Sequence, residues 1–155
     1  MTNDPDHKAS LINAPDQLNH HVDMPLGSRK QAARTTKRDL LAKLMRDQDH
    51  RVIELLLQNS RIREGDVVTI AARRPTTAAI LETIANHRKW KNHYDVKLTI
   101  CWNPHSPDQL LMKLLPTLML QDLTAMAQSG KLPERAQELV NELILNHGHS
   151  PEEPL

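Results

Sequence analysis

The sequence predicts an all-α fold, a HEAT-like stack of about four short helix pairs behind an N-terminal tail. Three observations carry that expectation. Apolar residues recur at helical spacing in eight runs between Asp39 and Ile144, each bounded by turn-forming residues. The breaks keep a beat: Arg74 to Asn103 and Pro104 to Pro133 are each 29 residues, and Asn59 to Arg74 is 15. The core has to be built from Leu, Ile, Val, Ala and Met, because aromatics are 2% of the chain and Phe is absent. No segment alternates cleanly between turn residues, so strands are disfavoured. The competing arrangement is an irregular helical bundle.

In chain order, residues 1–35 are expected to form a disordered or weakly ordered tail. They show no period and are rich in Asp, Asn, Pro and His up to residue 28, with a basic lead-in after it. The helical domain is expected over 36–146, and 147–155 as a frayed end. Thr36, followed by Asp39, looks like a helix start for the face Leu40, Leu41, Leu44 and Met45. Asp47-Gln48-Asp49 offers a cap for a second helix carrying Val52, Ile53, Leu55, Leu56 and Leu57. Asn59-Ser60 ends it. A third helix has Glu64 and Asp66 in its first turn, where negative charge suits the dipole. Pro75 stops that helix, since the residue before a proline is pushed out of the helical region. Thr77 caps a fourth helix with Ile80, Leu81 and Ile84 inward. After the polar connector 87–91, a fifth helix runs to Trp102. Asn103-Pro104 breaks it, Ser106 is the expected cap, and Pro107 the expected first residue of a sixth helix, ended by Pro116. A seventh carries Leu120, Leu123 and Met126, with Gly130 as its stop. An eighth opens at Pro133, with Leu139, Val140, Leu143 and Ile144.

At the breaks the chain resembles the bacterial variant leucine-rich repeats and related HEAT-like arrays. The residues that carry the likeness are Asn103-Pro104-His105-Ser106-Pro107, Arg74-Pro75-Thr76-Thr77 and the degenerate Asn59-Ser60-Arg61-Ile62, with Ser129-Gly130-Lys131-Leu132-Pro133 as a weak fourth copy. The resemblance covers about residues 38–146. It implies helix pairs joined by an Asn-Pro-x-Ser/Thr-Pro turn, and says nothing of activity. Some proteins of this type hold an iron–sulfur cluster on a cysteine-rich segment. Here there is one cysteine, Cys101, so no cluster, and no cofactor of any other kind, is expected.

Composition narrows the function classes. A single Cys excludes an internal disulfide and fits a reducing cytoplasm. No apolar run approaches the roughly 18 residues of a membrane span, so no membrane partner is expected. There is no glycine-rich phosphate loop. The paired carboxylates sit in exposed breaks or the tail, where nothing raises a pKa for acid catalysis. His20-His21 and His147-Gly148-His149 lack further ligands nearby, so no metal site is expected. Cys101 lies on an apolar helix with no basic group to activate it. No catalytic residue is therefore assigned. The function expected first is a non-catalytic module binding a protein partner through a helical repeat surface.

The alternative is nucleic-acid or polyanion binding. Residues 29–97 hold sixteen Lys/Arg against eight Asp/Glu, whereas 98–155 hold three against seven. The candidate surface is Arg73, Arg74, Arg88, Lys89, Trp90, Lys91, His93, Tyr94 and Lys97. Cations interleaved with aromatics can clamp phosphates and stack a base. Trp90 and Tyr94 can equally pack into the core, leaving the cations on a wet connector. Arg61 and Arg63 would extend the ridge if equivalent turns align on one edge, which would also bring Arg61, Arg74 and His105 together. The partner's identity and the oligomeric state are not encoded in any recognisable motif.

Overall fold

The computed structural model describes residues 24–148, all of whose regular structure is helical. The helices are α1 Leu26–Ala32, α2 Arg38–Leu44, α3 His50–Gln58, α4 Glu64–Ala72, α5 Ala78–Asn86, α6 Tyr94–Trp102, α7 Asp108–Leu114, α8 Leu120–Ser129 and α9 Glu134–Gly148, with a 3₁₀ turn Leu115–Thr117 after α7. The eight expected helices are α2 to α9. The expectations for 1–23 and 149–155 lie outside the described residues. Within 24–35, however, the expected tail is corrected: seven residues form α1. It carries little apolar surface of its own, and Ala33 just after it is fully buried.

Each helix buries the stripe its sequence spacing dictates. On α3 Val52, Ile53, Leu56 and Leu57 are completely buried, and on α5 Ile80, Leu81 and Ile84 repeat that pattern 28 residues later. The stripes join in one core that runs from Ala33 to Val140. Caps follow the expected chemistry at two starts. Asp49 accepts the Arg51 N–H at 2.9 Å, and Thr77 Oγ1 accepts the Ile80 N–H at 3.3 Å. They depart from it at two others. Lys37, not Thr36, precedes α2 and makes no side-chain cap. Ser106 is buried and donates to Ile100 O at 2.6 Å instead of capping, which leaves Pro107 at the N-cap of α7. Gly130 ends α8 at φ 67°, the left-handed region where a side chain is disfavoured.

Most neighbouring helices pack in sequence, and each of α1 to α7 also meets the helix two places on. Backbone proximity joins α1 to α3, α3 to α5, α4 to α6 and α7 to α9. Side chains join the rest: Arg38 on α2 pairs with Asp66 on α4, Lys113 on α7 donates to Asn86 on α5, and Tyr94 on α6 bonds Asp122 on α8.

The strongest of these links share one geometry. An α-helix leaves its last four carbonyls without an internal partner, a large fraction of a helix of seven to nine residues. In this chain a side chain at or shortly after the end of one helix donates to carbonyls at the end of the helix two back or in the turn that follows it. Asn59 Nδ2, after α3, donates to Ala33 O and Thr35 O at 2.8 and 2.9 Å. Arg73, after α4, donates to Met45 O and Asp47 O at 2.6 and 2.8 Å. Trp90 Nε1, after α5, reaches Leu57 O at 2.9 Å. Asn103 Nδ2, after α6, donates to Ala71 O and Arg73 O at 2.8 and 3.0 Å. Both asparagines also accept the N–H two residues on, Arg61 and His105, at 2.9 Å.

Asn103 is 2% exposed, so its replacement strands two carbonyls and one N–H. Asn103→Ala should cost about 2–4 kcal/mol in urea unfolding, and the less buried Asn59→Ala less. Equal, near-zero losses at both sites would show that these bonds do not hold the helices together.

Candidate basic edge

Because successive helices run back and forth, the turns fall on two edges. One edge takes the turns that leave odd-numbered helices: 33–37, 59–63, 87–93 and 115–119. The other takes those that leave even-numbered ones. Direct bonds confirm the neighbourhood on the first edge. Asn59 ties the second turn to the first, Trp90 ties the third to the end of α3, and the Met119 N–H donates to Tyr94 Oη at 2.9 Å beside the fourth.

The first three of these turns contain Arg34, Lys37, Arg61, Arg63, Arg88, Lys89 and Lys91, and no Asp or Glu. All seven cations are exposed. Of the four carboxylates in the helix turns that follow, Asp39 and Asp95 are exposed at the starts of α2 and α6, and the other two are engaged. Asp66 takes both Nη groups of Arg38, and Glu64 lies 3.2 Å from His93 Nδ1. Two further pairs, Arg29–Asp47 at 2.6 Å and Arg51–Asp49 at 2.8 Å, sit toward the opposite edge. The positive excess read from the sequence is thus concentrated on one rim rather than spread over helix faces.

The sequence candidates divide between the two edges. Arg88, Lys89 and Lys91 belong to the basic rim, with His93 at its end and Lys97 one turn into α6. Arg73 and Arg74 do not. They close α4, a helix of about 13 Å from end to end, on the edge opposite Arg61 and Arg63. The expected meeting of Arg61, Arg74 and His105 is therefore corrected: only Arg74 and His105 share an edge. Arg73 is further withdrawn because its guanidinium serves the Met45 and Asp47 carbonyls of the turn after α2. Arg74 donates to Trp102 O at 3.1 Å and lies at a small cleft of about 130 Å³ with Lys131, Leu111 and Leu132.

Trp90 is too buried to stack a base, and Tyr94 is half-buried and tethered through its hydroxyl. Trp90 is 3% exposed, with Lys89 Nζ 4.5 Å from its ring centroid and the His93 ring at 5.1 Å. Tyr94 is half-buried; its hydroxyl bonds Asp122 and accepts from Met119, while Lys97 Nζ lies 5.9 Å from its ring. Burial first, then the Asp122 bond, raises the Tyr94 pKa. His87 Nδ1 accepts the Lys89 N–H at 3.3 Å, and burial lowers its pKa, so the ring stays neutral near pH 7.

Sequence reasoning missed Arg34 and Lys37 as members of the rim. Their signal was position: they follow α1 as Arg61 and Arg63 follow α3. Cys101 is 3% exposed, and burial pushes its thiol up to about 12, which leaves almost no thiolate near neutrality. Among the described residues no group of three or more His, Cys, Asp or Glu is placed to hold a metal ion. None of the described helices is long and apolar enough to cross a membrane. A groove between α3 and α5, lined by His50, Glu54, Glu82, Thr83, Asn86 and His87, has a volume of about 380 Å³ and carries two carboxylates; beside it Arg88 and Lys89 line a second hollow with Glu54 and Gln58. Comparison with protein-family models, with curated proteins and with solved structures gives no significant match.

Arg38 is the cation that joins the rim to the fold. It pairs with Asp66 and also donates to Arg61 O at 3.1 Å, while Asp66 accepts the Arg63 N–H at 2.8 Å. The Arg38 bond, above all, holds the Asp66 carboxyl below its ordinary value. The folded state therefore binds the proton less readily than the unfolded one. The pair's contribution is complete above the unfolded carboxylate range and is lost as pH falls through the lowered folded value. Asp66→Asn should unfold at lower urea than wild type at pH 7, and the difference should shrink as pH falls below the ordinary carboxylate range. A gap that persists unchanged in acid would mean the carboxylate charge is not its source.

Proposed function

We propose that the chain is a HEAT-like stack of helix pairs acting as a non-catalytic binding module in a reducing, cytoplasmic setting, and that its basic rim takes a nucleic acid or similar polyanion. The observation that carries this is the rim itself: seven exposed Lys/Arg on three hydrogen-bonded turns without one acidic residue among them. Such a row gains free energy by displacing the counterions condensed on a phosphate backbone. A repeat array suits the task because each added pair lengthens the row. Supporting the non-catalytic reading, the one thiol is buried and protonated, and the aromatic and histidine side chains near the rim have structural bonds.

Binding of the chain to DNA, followed by fluorescence anisotropy, should weaken steeply with salt. A log–log slope of about −4 to −6 is expected if five to seven phosphates are contacted. Replacing Arg88, Lys89 and Lys91 together by Glu should abolish it while leaving the circular dichroism spectrum intact. Salt-independent binding, or binding unchanged by that triple replacement, would remove the rim from the account.

A protein partner is the second reading, and one feature favours it. Met119 and Leu120 are 54% and 41% exposed in the fourth turn of the same edge, next to the 87–93 turn. Exposed apolar side chains beside cations suit an acidic, partly apolar protein surface. Under the polyanion reading, Met119→Gln with Leu120→Gln should leave DNA affinity within about twofold, since neither touches a phosphate. A loss as large as that of the Glu triple would assign the apolar pair to the same ligand.

A further inference from the structure

We infer that the basic rim selects duplex over single-stranded nucleic acid and reads it by phosphates alone, without regard to base sequence; this rests on the polyanion reading above. Three features lead there.

First, proteins that favour single strands combine a basic track with aromatic platforms on which bases stack. This rim has no platform. The Trp90 indole is buried, bonded to Leu57 O and covered by Lys89 and His93. The Tyr94 hydroxyl is committed to Asp122 and Met119. Trp102 closes α6 and so lies on the opposite edge.

Second, sequence is read by a helix or a strand ribbon that enters a groove broadside. Here every helix meets the rim end-on, and what it presents are turn tips of five to seven residues. Side chains on such tips reach the outermost atoms of a duplex, which are phosphates.

Third, the dimensions suit a rod of high charge density. Helices two apart on one layer stand roughly 8–10 Å from each other, so three turns span roughly 16–20 Å. A duplex offers one charge per roughly 1.7 Å of its axis, hence about ten within that span, twice what one strand offers at the same rise. With stacking absent, charge density decides the preference.

The test is anisotropy on the full chain at about 50 mM salt, with two 20-base-pair DNA duplexes of unrelated sequence, an RNA duplex, and the separated strands of each as probes. Duplexes should bind at least about fivefold tighter than their strands, and the two DNA sequences should agree within about threefold. Lys89→Gln, an exposed change, should reduce the salt slope by about one equally on both sequences. A duplex-to-strand ratio below fivefold, or a larger difference between sequences, would overturn duplex selection while the polyanion reading stands. Salt-sensitive binding to none of the probes would overturn both.

Discussion

Short helices have an end problem, and this chain is built around its solution. A helix of seven to nine residues leaves close to half its carbonyls without an internal partner. Burying such ends costs more than the apolar stripe of so short a helix readily returns, unless the carbonyls find donors. Here the donors are supplied by Asn59, Arg73, Trp90 and Asn103, each serving the end of the helix two places back or the turn just after it. The chemistry differs at each site, amide, guanidinium or indole, while the geometry stays the same. Repetition of the link, rather than of any residue, gives the fold its period.

That link also sets where the cations go. Because a closing residue must reach the helix two back, successive turns on one edge are held against each other. Whatever side chains flank the donor are then displayed in a row. Arg61 follows Asn59 by two, and Lys89 follows His87 by two; in both cases the backbone N–H of the cation is tied down by its neighbour's side chain. The Arg61 side chain is left to solvent, and that of Lys89 is exposed along the Trp90 ring. The rim is thus a by-product of how the turns are stapled, put to use by the choice of Arg and Lys at positions with no structural bond to make. Arg73 shows the converse. It is a cation of the same sequence cluster, but it is the donor at its turn and is consumed by the fold.

Much of this was legible. The 3.6-residue spacing located α2 to α9, and the breaks at Asn59, Pro75, Asn103 and Gly130 fall where helices end. The first helix was not legible, because Leu26–Ala32 has almost no apolar stripe. What holds it comes from elsewhere: Asn59 binds the carbonyls that follow it, and its Arg29 reaches Asp47. The edges were half legible. Asn59 and Asn103 have the same job, yet they stand on opposite edges. The intervals already held that information. A separation of 29 residues is two helices and returns to the same edge, whereas 15 is one helix and crosses over. Treating Asn59, Arg74 and Asn103 as a single series merged the two edges and placed Arg74 with Arg61.

Trp90 is the residue where local sequence misleads most. Flanked by Lys89 and Lys91, it looks like a stacking aromatic in a basic track. The 87–93 turn is two residues longer than the 59–63 turn, and His87 closes α5 where Asn59 closes α3. An indole is the longer reach: its Nε1–H makes the bond to Leu57 O, and its ring fills the space the longer turn would leave. A tryptophan in that position has to face inward for the third link to exist. The cations around it are then left as the sole chemistry of the rim, so a ligand there is recognised by its charge and the spacing of its charges, with no contribution from stacking.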